Sequence, residues 1–414
     1  MHRRAFLAAA LAAAARAAAP PTDPTRLTLA QASRLVRAGT LSPVKLAEAC
    51  LARIVRLDGR LSAFVTVTGT QAVEQARAAE KEIGAGKWRG PLHGLPIGIK
   101  DNLDVAGVRT TAGDPKRRWH VPKEDADAVR RLREAGAVFV GKLNMNTYAI
   151  GYDSVNSFAG PVRNPWDADR IAGGSSGGSG AAVAAGMCLA SLGTDTGGSV
   201  RHPAACCNLV GLKPTHGRVS LRGVVPLLAE LDCVGPLART AEDCALVLDA
   251  IAERGGEKAG DVRKLRLGRP KGHFHGLDPE TKSLVGSAIE ELATLTAGVE
   301  DVAMPRHHRK PKETLEGMRK VVALEGVEVL ATPTVSHPPH PVAEAQKGLA
   351  PGDPGRHLAP FNQLGWPGVS VPCGFTKAGL PVGVQLVAGP GHEARLLVLA
   401  AAYQRVTAWH ERRR

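Results

Sequence analysis

Residues 171–180 read IAGGSSGGSG, and eight of the ten are glycine or serine. Such a composition is that of a solvated tether. The stretch nevertheless sits mid-chain, between NPWDADR (164–170) and the alanine-rich AAVAAGMCLA (181–190). A phosphate-binding loop of the G-x-x-x-x-G-K-[ST] type is excluded, because no lysine follows the glycines. A dinucleotide fingerprint needs a strand immediately before the loop, and NPWDADRIA does not read as one. Gly173 to Gly177 match G-x-S-x-G, but that nucleophile elbow also needs a strand leading into it. A tether and the backbone of an active site remain.

The flanking sequence favours the second. Downstream, CLASLGTDTGGSVRHPAA (188–205) carries an apolar strand over 188–192 into a tight turn, Thr194 to Gly198, that delivers Ser199. Gly197 and Gly198 let the backbone turn sharply and bring successive N–H groups to one point, as an oxyanion hole requires. Upstream, GLPIGIKDN (94–102) places Lys100 at the end of an apolar strand, where burial favours the neutral amine.

Lys100, Ser175 and Ser199, at intervals of 75 and 24 residues, resemble the catalytic Lys–Ser–Ser triad of the amidase signature family. The whole of 164–220 is similar to that family's signature region. Flanking pieces also match: PLHGLPIGIKDN (91–102), GKLNM (141–145), LDCVGPLART (231–240), VLATPT (329–334), FNQLGWPGVSVP (361–372) and GLPVGVQLV (379–387). The similarity runs over about residues 25–300 and 320–405. It implies an amidase domain over 25–410, with the signature core at about 90–240. The implied fold is a single-domain α/β/α layered structure around a large mixed β-sheet.

The resemblance also implies roles. Ser199 would be the nucleophile, and Ser175, joined to Gly174 by a cis peptide, would bridge it to the base Lys100. Backbone N–H groups of Thr196, Gly197, Gly198 and Ser199 would bind the oxyanion. Gly174, Ser176, Asp195 and Arg201 would support them. The implied reaction is hydrolysis of a carboxamide C–N bond to carboxylate and ammonia or amine, through an acyl-enzyme. No metal or organic cofactor is implied; His273/His275 and His337/His340 lie outside the signature and read as loop histidines. The expected partner is a small-molecule amide, and the chain is expected as a monomer or homodimer. Two alternatives stay open: the glutaminase component of a tRNA-dependent amidotransferase, and a non-catalytic scaffold. The bridge between VEDVAMP (299–305) and ETLEGMRK (313–320) is shorter than in most of the family, which predicts a more open pocket near 305–313.

At 414 residues, 44% hydrophobic and 22% charged, the chain has the composition of a globular protein with a large core. Aromatics at 4% leave the packing to Ala, Val, Leu and Gly. The formal charge of +14 is spread over clusters such as Arg306–Lys312 and Arg412–Arg414. No stacking aromatics or recognition motif accompany it, so no nucleic-acid partner is expected. The opening MHRRAFLAAALAAAARAAAPP pairs Arg3–Arg4 with a short apolar stretch and an A-x-A exit at 17–19. It predicts a twin-arginine export signal over 1–19 and a periplasmic or secreted protein, or a cytoplasmic one if that signal does not function. Beyond it no apolar run is long enough to span a bilayer. Seven cysteines without zinc spacing predict buried free thiols.

Apolar periodicity predicts helices over 41–57, with Ser42 as N-cap and Pro43 at the first position, and over 71–83, 125–135, 179–187, 241–252, 279–297 and 393–409. A strand entering a loop is expected over 95–105, strands at 137–142, 188–193, 265–268 and 327–332, and a hairpin over 366–374 and 380–389. The alternation predicts an α/β architecture with helices covering a sheet.

Overall fold

The computed structural model describes residues 22–253, 255–303, 326–349 and 351–412. The predicted export signal (1–19) and the shortened bridge (305–313) lie outside the described residues. Eleven strands form one sheet: β1 (Phe64–Val67), β2 (Pro96–Lys100), β3 (Val138–Leu143), β4 (Ala190–Asp195), β5 (Val210–Lys213), β6 (Cys233–Ala238), β7 (Leu267–Pro270), β8 (Val299–Val302), β9 (Val329–Pro333), β10 (Gly368–Phe375) and β11 (Pro381–Val387). Their spatial order is β1-β3-β2-β4-β6-β5-β10-β11-β9-β7-β8. β2 runs parallel to β3 and β4, and β7 runs parallel to β8 and β9. The other neighbours are antiparallel, so the sheet is mixed.

Helices cover both faces. One layer holds α1 (Leu29–Arg37), and the other receives α2 (Pro43–Leu61) and α3 (Gly69–Gly84). Further along come α4 (Asp127–Glu134), α5 (Gly177–Ala184), α6 (Arg201–Cys206), α7 (Ala241–Ile251), α8 (Pro279–Thr294), α9 (Val342–Ala345), α10 (Ala359–Gln363) and α11 (Glu393–Thr407). Side chains of α1, α4, α7, α8 and α11 join one apolar cluster, and most of those of α2, α3, α5 and α6 join a second, with Leu46 of α2 and Ile83 of α3 reaching the first. Along β3 the period of two divides the strand between them: Phe139 enters the first cluster, Val138 and Val140 the second. The α/β/α layering expected from the resemblance is the observed one.

Local sequence accounts for most boundaries. Ser42 accepts from the Lys45 N–H at 3.1 Å and Pro43 follows it, as the helix start predicts. The predicted hairpin is β10–β11, antiparallel and central in the sheet. Eight of these elements escape the sequence pattern: α1, α6, α9, α10, β1, β5, β6 and β8. All but the nine-residue α1 are six residues or shorter, too short for a period to declare itself.

Two features of this frame aim side chains at the site. In β2, Ile97 and Ile99 enter the first cluster, so alternation turns Gly98 and Lys100 to the opposite face, that of α5 and α6. α5 itself is made of glycine, alanine, serine and one valine, and all but its last residue are buried. A Cβ on Gly178 would lie 2.5 Å from the Asn144 carbonyl oxygen, so only glycine lets this helix approach β3 so closely.

Candidate active site

Lys100 ends β2 and Asp195 ends β4, and these parallel neighbours bring both to the carboxyl edge of the sheet. Open α/β sheets place their ligand sites along that edge. Lys100 is fully buried, and its Nζ lies 2.8 Å from Ser175 Oγ and 2.8 Å from Thr194 Oγ1, with the Thr194 carbonyl at 3.4 Å. Asn102 Nδ2 donates to the same Thr194 hydroxyl at 3.2 Å. Burial pushes the Lys100 amine down to about 7, against the opposing pull of Asp232 and Asp195. Two other lysines are buried as deeply, but they face elsewhere: Lys142 pairs with Asp101 at 3.2 Å, and Lys213 donates to the Pro214 carbonyl at 2.9 Å. Of the three, Lys100 is the one that meets a serine hydroxyl.

The glycine–serine stretch is a tightly held loop. The Gly174–Ser175 peptide is cis. The Ser175 carbonyl accepts from the Asn146 N–H at 3.2 Å and from Ser154 Oγ at 3.3 Å. Gly177 N–H donates to Ser154 Oγ at 3.1 Å, and Gly174 N–H to His202 Nδ1 at 3.2 Å. Ser176 crosses to the neighbouring segment, its N–H donating to the Ser199 carbonyl at 3.2 Å and its Oγ to the Thr194 carbonyl at 3.2 Å. A Cβ on Gly174 would stand 2.7 Å from the Asp153 backbone nitrogen, so a side chain does not fit there.

Ser199 sits in the turn between β4 and α6 and is buried. Its hydroxyl makes no hydrogen bond among the described residues. The turn is shaped by Asp195, whose carboxylate accepts from the Gly198 N–H at 2.8 Å, the Val200 N–H at 3.1 Å, and Arg201 Nε and Nη2 at 3.0 and 2.9 Å. Burial alone would raise the Asp195 carboxyl. The Arg201 guanidinium, helped by Lys213 and Asn362, more than offsets this and holds it well below the usual carboxylate range. Arg201 is itself fully buried; Nη1 donates to Gln385 Oε1 at 2.6 Å and to the Leu358 carbonyl at 3.2 Å, and Nη2 to Asn362 Oδ1 at 2.5 Å. Asp195 and Arg201 are thus the centre of a closed network that ties the turn to α10 and β11.

One expectation needs correction. The resemblance places Gly198 among four oxyanion donors, but its N–H is committed to Asp195. Its φ of +126° and the adjacent Leu358, whose Cβ would be 2.6 Å from a Cβ at 198, make it the residue that shapes the turn. The Thr196, Gly197 and Ser199 amides have no hydrogen-bond partner among the described residues. The Thr196 hydroxyl donates to Asp232, and Tyr152 OH donates to the Gly197 carbonyl at 3.0 Å.

Asn146, Tyr152 and Ser154 lie outside the matched motifs, and Thr194, His202, Asn362 and Gln385 lie inside them without an expected role. All seven become visible as site residues only once the loops are assembled. His202 also lines a small cleft with Ile171, Cys206, His337 and His340. The His273 and His357 rings meet at a tilt of 54°, with centroids 5.3 Å apart. Among the described residues no three His, Cys, Asp or Glu side chains are grouped to hold a metal ion, and no helix is long and apolar enough to cross a membrane.

The Amidase family model matches residues 45–318 and 309–397. The A subunit of glutamyl-tRNA(Gln) amidotransferase from Roseiflexus sp. (strain RS-1) is 37% identical, over 94% of this chain and 98% of that one. The crystal structure of the same component from Thermotoga maritima superposes with a TM-score of 0.79 at 27% identity, covering 94% of this chain and 96% of the other. Native peptide amidase from Stenotrophomonas maltophilia gives a TM-score of 0.81 at 28% identity, covering 94% and 97%. With the family model matched along most of its length and relatives of known name similar from end to end, the chain belongs to the amidase signature family and is an amide-hydrolysing enzyme.

Proposed function

We propose that this enzyme releases ammonia or an amine from a carboxamide through an acyl-enzyme on Ser199. The observation that carries the reading is the 2.8 Å contact between the buried Lys100 amine and the Ser175 hydroxyl, in a loop whose Ser176 N–H donates to the Ser199 carbonyl at 3.2 Å. Neutral Lys100 takes the Ser175 proton as Ser175 takes that of Ser199, and Ser199 Oγ adds to the amide carbonyl. The free amides of Thr196, Gly197 and Ser199 receive the developing oxyanion. The proton returns through Ser175 to the leaving nitrogen, the C–N bond breaks, and water hydrolyses the acyl-serine by the same relay. Asp195 and Arg201 act on the shape of the turn and touch no reacting atom.

The names of the curated relatives support a narrower second reading, in which the amide is glutamine and the ammonia passes to a partner protein within a tRNA-dependent amidotransferase. That reading requires partner chains and a cytoplasmic home, whereas the Arg3–Arg4 start favours export. Ammonia release by the purified chain over glutamine, aliphatic, aromatic and peptide amides tests both. Turnover of simple amides by the chain alone supports the independent amidase. Turnover of glutamine alone supports the amidotransferase reading, and no turnover of any amide contradicts both.

A further inference from the structure

His202 follows the nucleophile Ser199 by three residues, yet its ring reaches back to the loop that carries Ser175. Its backbone N–H donates to the Gly198 carbonyl at 2.7 Å, anchoring the residue to the oxyanion turn. Its Nδ1 accepts from the Gly174 N–H at 3.2 Å, on the residue directly before Ser175. The two segments are in close contact there: a Cβ on Gly173 would meet His202 Nδ1 at 3.0 Å and Pro203 Cα at 2.8 Å. The ring is buried and meets the edge of Tyr152, with centroids 5.6 Å apart and planes at 78°, and Tyr152 in turn holds the Gly197 carbonyl.

We propose that His202 is a positioning residue that fixes the Ser175 loop to the Ser199 turn, through acceptance of the Gly174 N–H by Nδ1. The inference rests on the reading of Ser175 and Ser199 as reacting residues. Acceptance at Nδ1 sets the tautomer: the ring proton resides on Nε2, which faces Cys206 Sγ at 3.9 Å. Burial pushes the imidazole down to about 3, so the ring stays neutral and Nδ1 remains an acceptor at any ordinary working pH. Without an acceptor at this point the Gly174 N–H would be buried and unpaired. The loop would then be free to shift by the fraction of an ångström that a proton relay does not tolerate.

The test compares His202→Asn with His202→Leu, using the rate of Ser199 modification by a simple alkyl fluorophosphonate, followed by intact-protein mass. Asn places Oδ1 where the imidazole has Nδ1 and retains an acceptor; Leu fills similar space without one. The expected result is a loss of labelling rate of at least about 10-fold in His202→Leu, with His202→Asn within about 3-fold of the unmodified protein. His202→Leu is expected to melt below His202→Asn, because it leaves the Gly174 N–H unpaired, so labelling is compared well below both midpoints. Equal labelling of all three proteins, or an Asn variant no faster than Leu, overturns the role of His202 while leaving the nucleophile in place. An unlabelled wild-type Ser199 overturns the nucleophile assignment and this inference with it.

Discussion

The Lys100 amine stands 2.8 Å from the Ser175 hydroxyl, and both side chains are wholly buried. From that relationship follows a pH dependence. A lysine serves as base only when neutral, and here burial lowers its pKa from the usual value near 10.5 to about 7. Below that pH the amine is protonated and the relay stops, so the account predicts a kcat/KM profile that rises through about pH 7. Lys100→Ala is expected to lose on the order of 10³-fold or more in kcat and to abolish that limb. The measurement is ammonia release against pH for both proteins. A variant that keeps the rising limb would remove Lys100 from the base role.

The Asp195–Arg201 pair makes a prediction about stability. Removing one partner of a buried ion pair leaves a desolvated, uncompensated charge, which costs about 3–5 kcal/mol. Arg201→Met is therefore expected to be destabilised by about that amount, seen as an earlier urea midpoint. Because Arg201 holds the Asp195 pKa below its unfolded value, this contribution is present above the ordinary carboxylate pKa and is lost as the pH falls below it. A denaturation midpoint within experimental error of wild type at neutral pH would contradict the network's role.

Gly198 gives a steric prediction. Its φ is +126°, and a methyl group there would press on the near end of Leu358. Gly198→Ala should cost about 1–3 kcal/mol in stability and lower kcat more than it raises KM, because the turn supplies the oxyanion amides. Unchanged kinetics in a folded variant would show that the turn's shape is not what the chemistry uses.

All seven cysteines are free and buried. Native protein should therefore react with no thiol reagent on the minute timescale, and protein unfolded in guanidinium should titrate seven thiols without reductant. A lower count after unfolding would reveal a disulfide and overturn the free-thiol reading.

What is legible in the sequence, and what is not, follows the range of the contacts. Lys100, Ser175 and Ser199 are legible through the resemblance of 91–102 and 164–220 to the amidase signature region, and none of the three stands out on its local chemistry alone. Periodicity locates the long helices and the β10–β11 hairpin. The Arg201 environment is hidden: its partners Asn362 and Gln385 lie 161 and 184 residues away, and nothing in SVRHPAA announces a fully buried arginine. His202 and Tyr152 are hidden for the same reason. The Gly198 amide is easily misread, because a glycine turn supplies N–H groups without revealing which of them a nearby carboxylate will claim. IAGGSSGGSG resembles a tether in composition, yet the Gly174, Ser176 and Gly177 amides and the Ser175 carbonyl are all hydrogen-bonded.

The central claim is that Ser199 forms the bond to the substrate. The most direct test is ammonia release by Ser199→Ala, measured on whichever amide the wild-type protein turns over fastest, with circular dichroism confirming the fold. The account predicts a loss on the order of 10⁴-fold or more with an unchanged melting curve. A folded Ser199→Ala protein that hydrolyses the amide at the wild-type rate would contradict it.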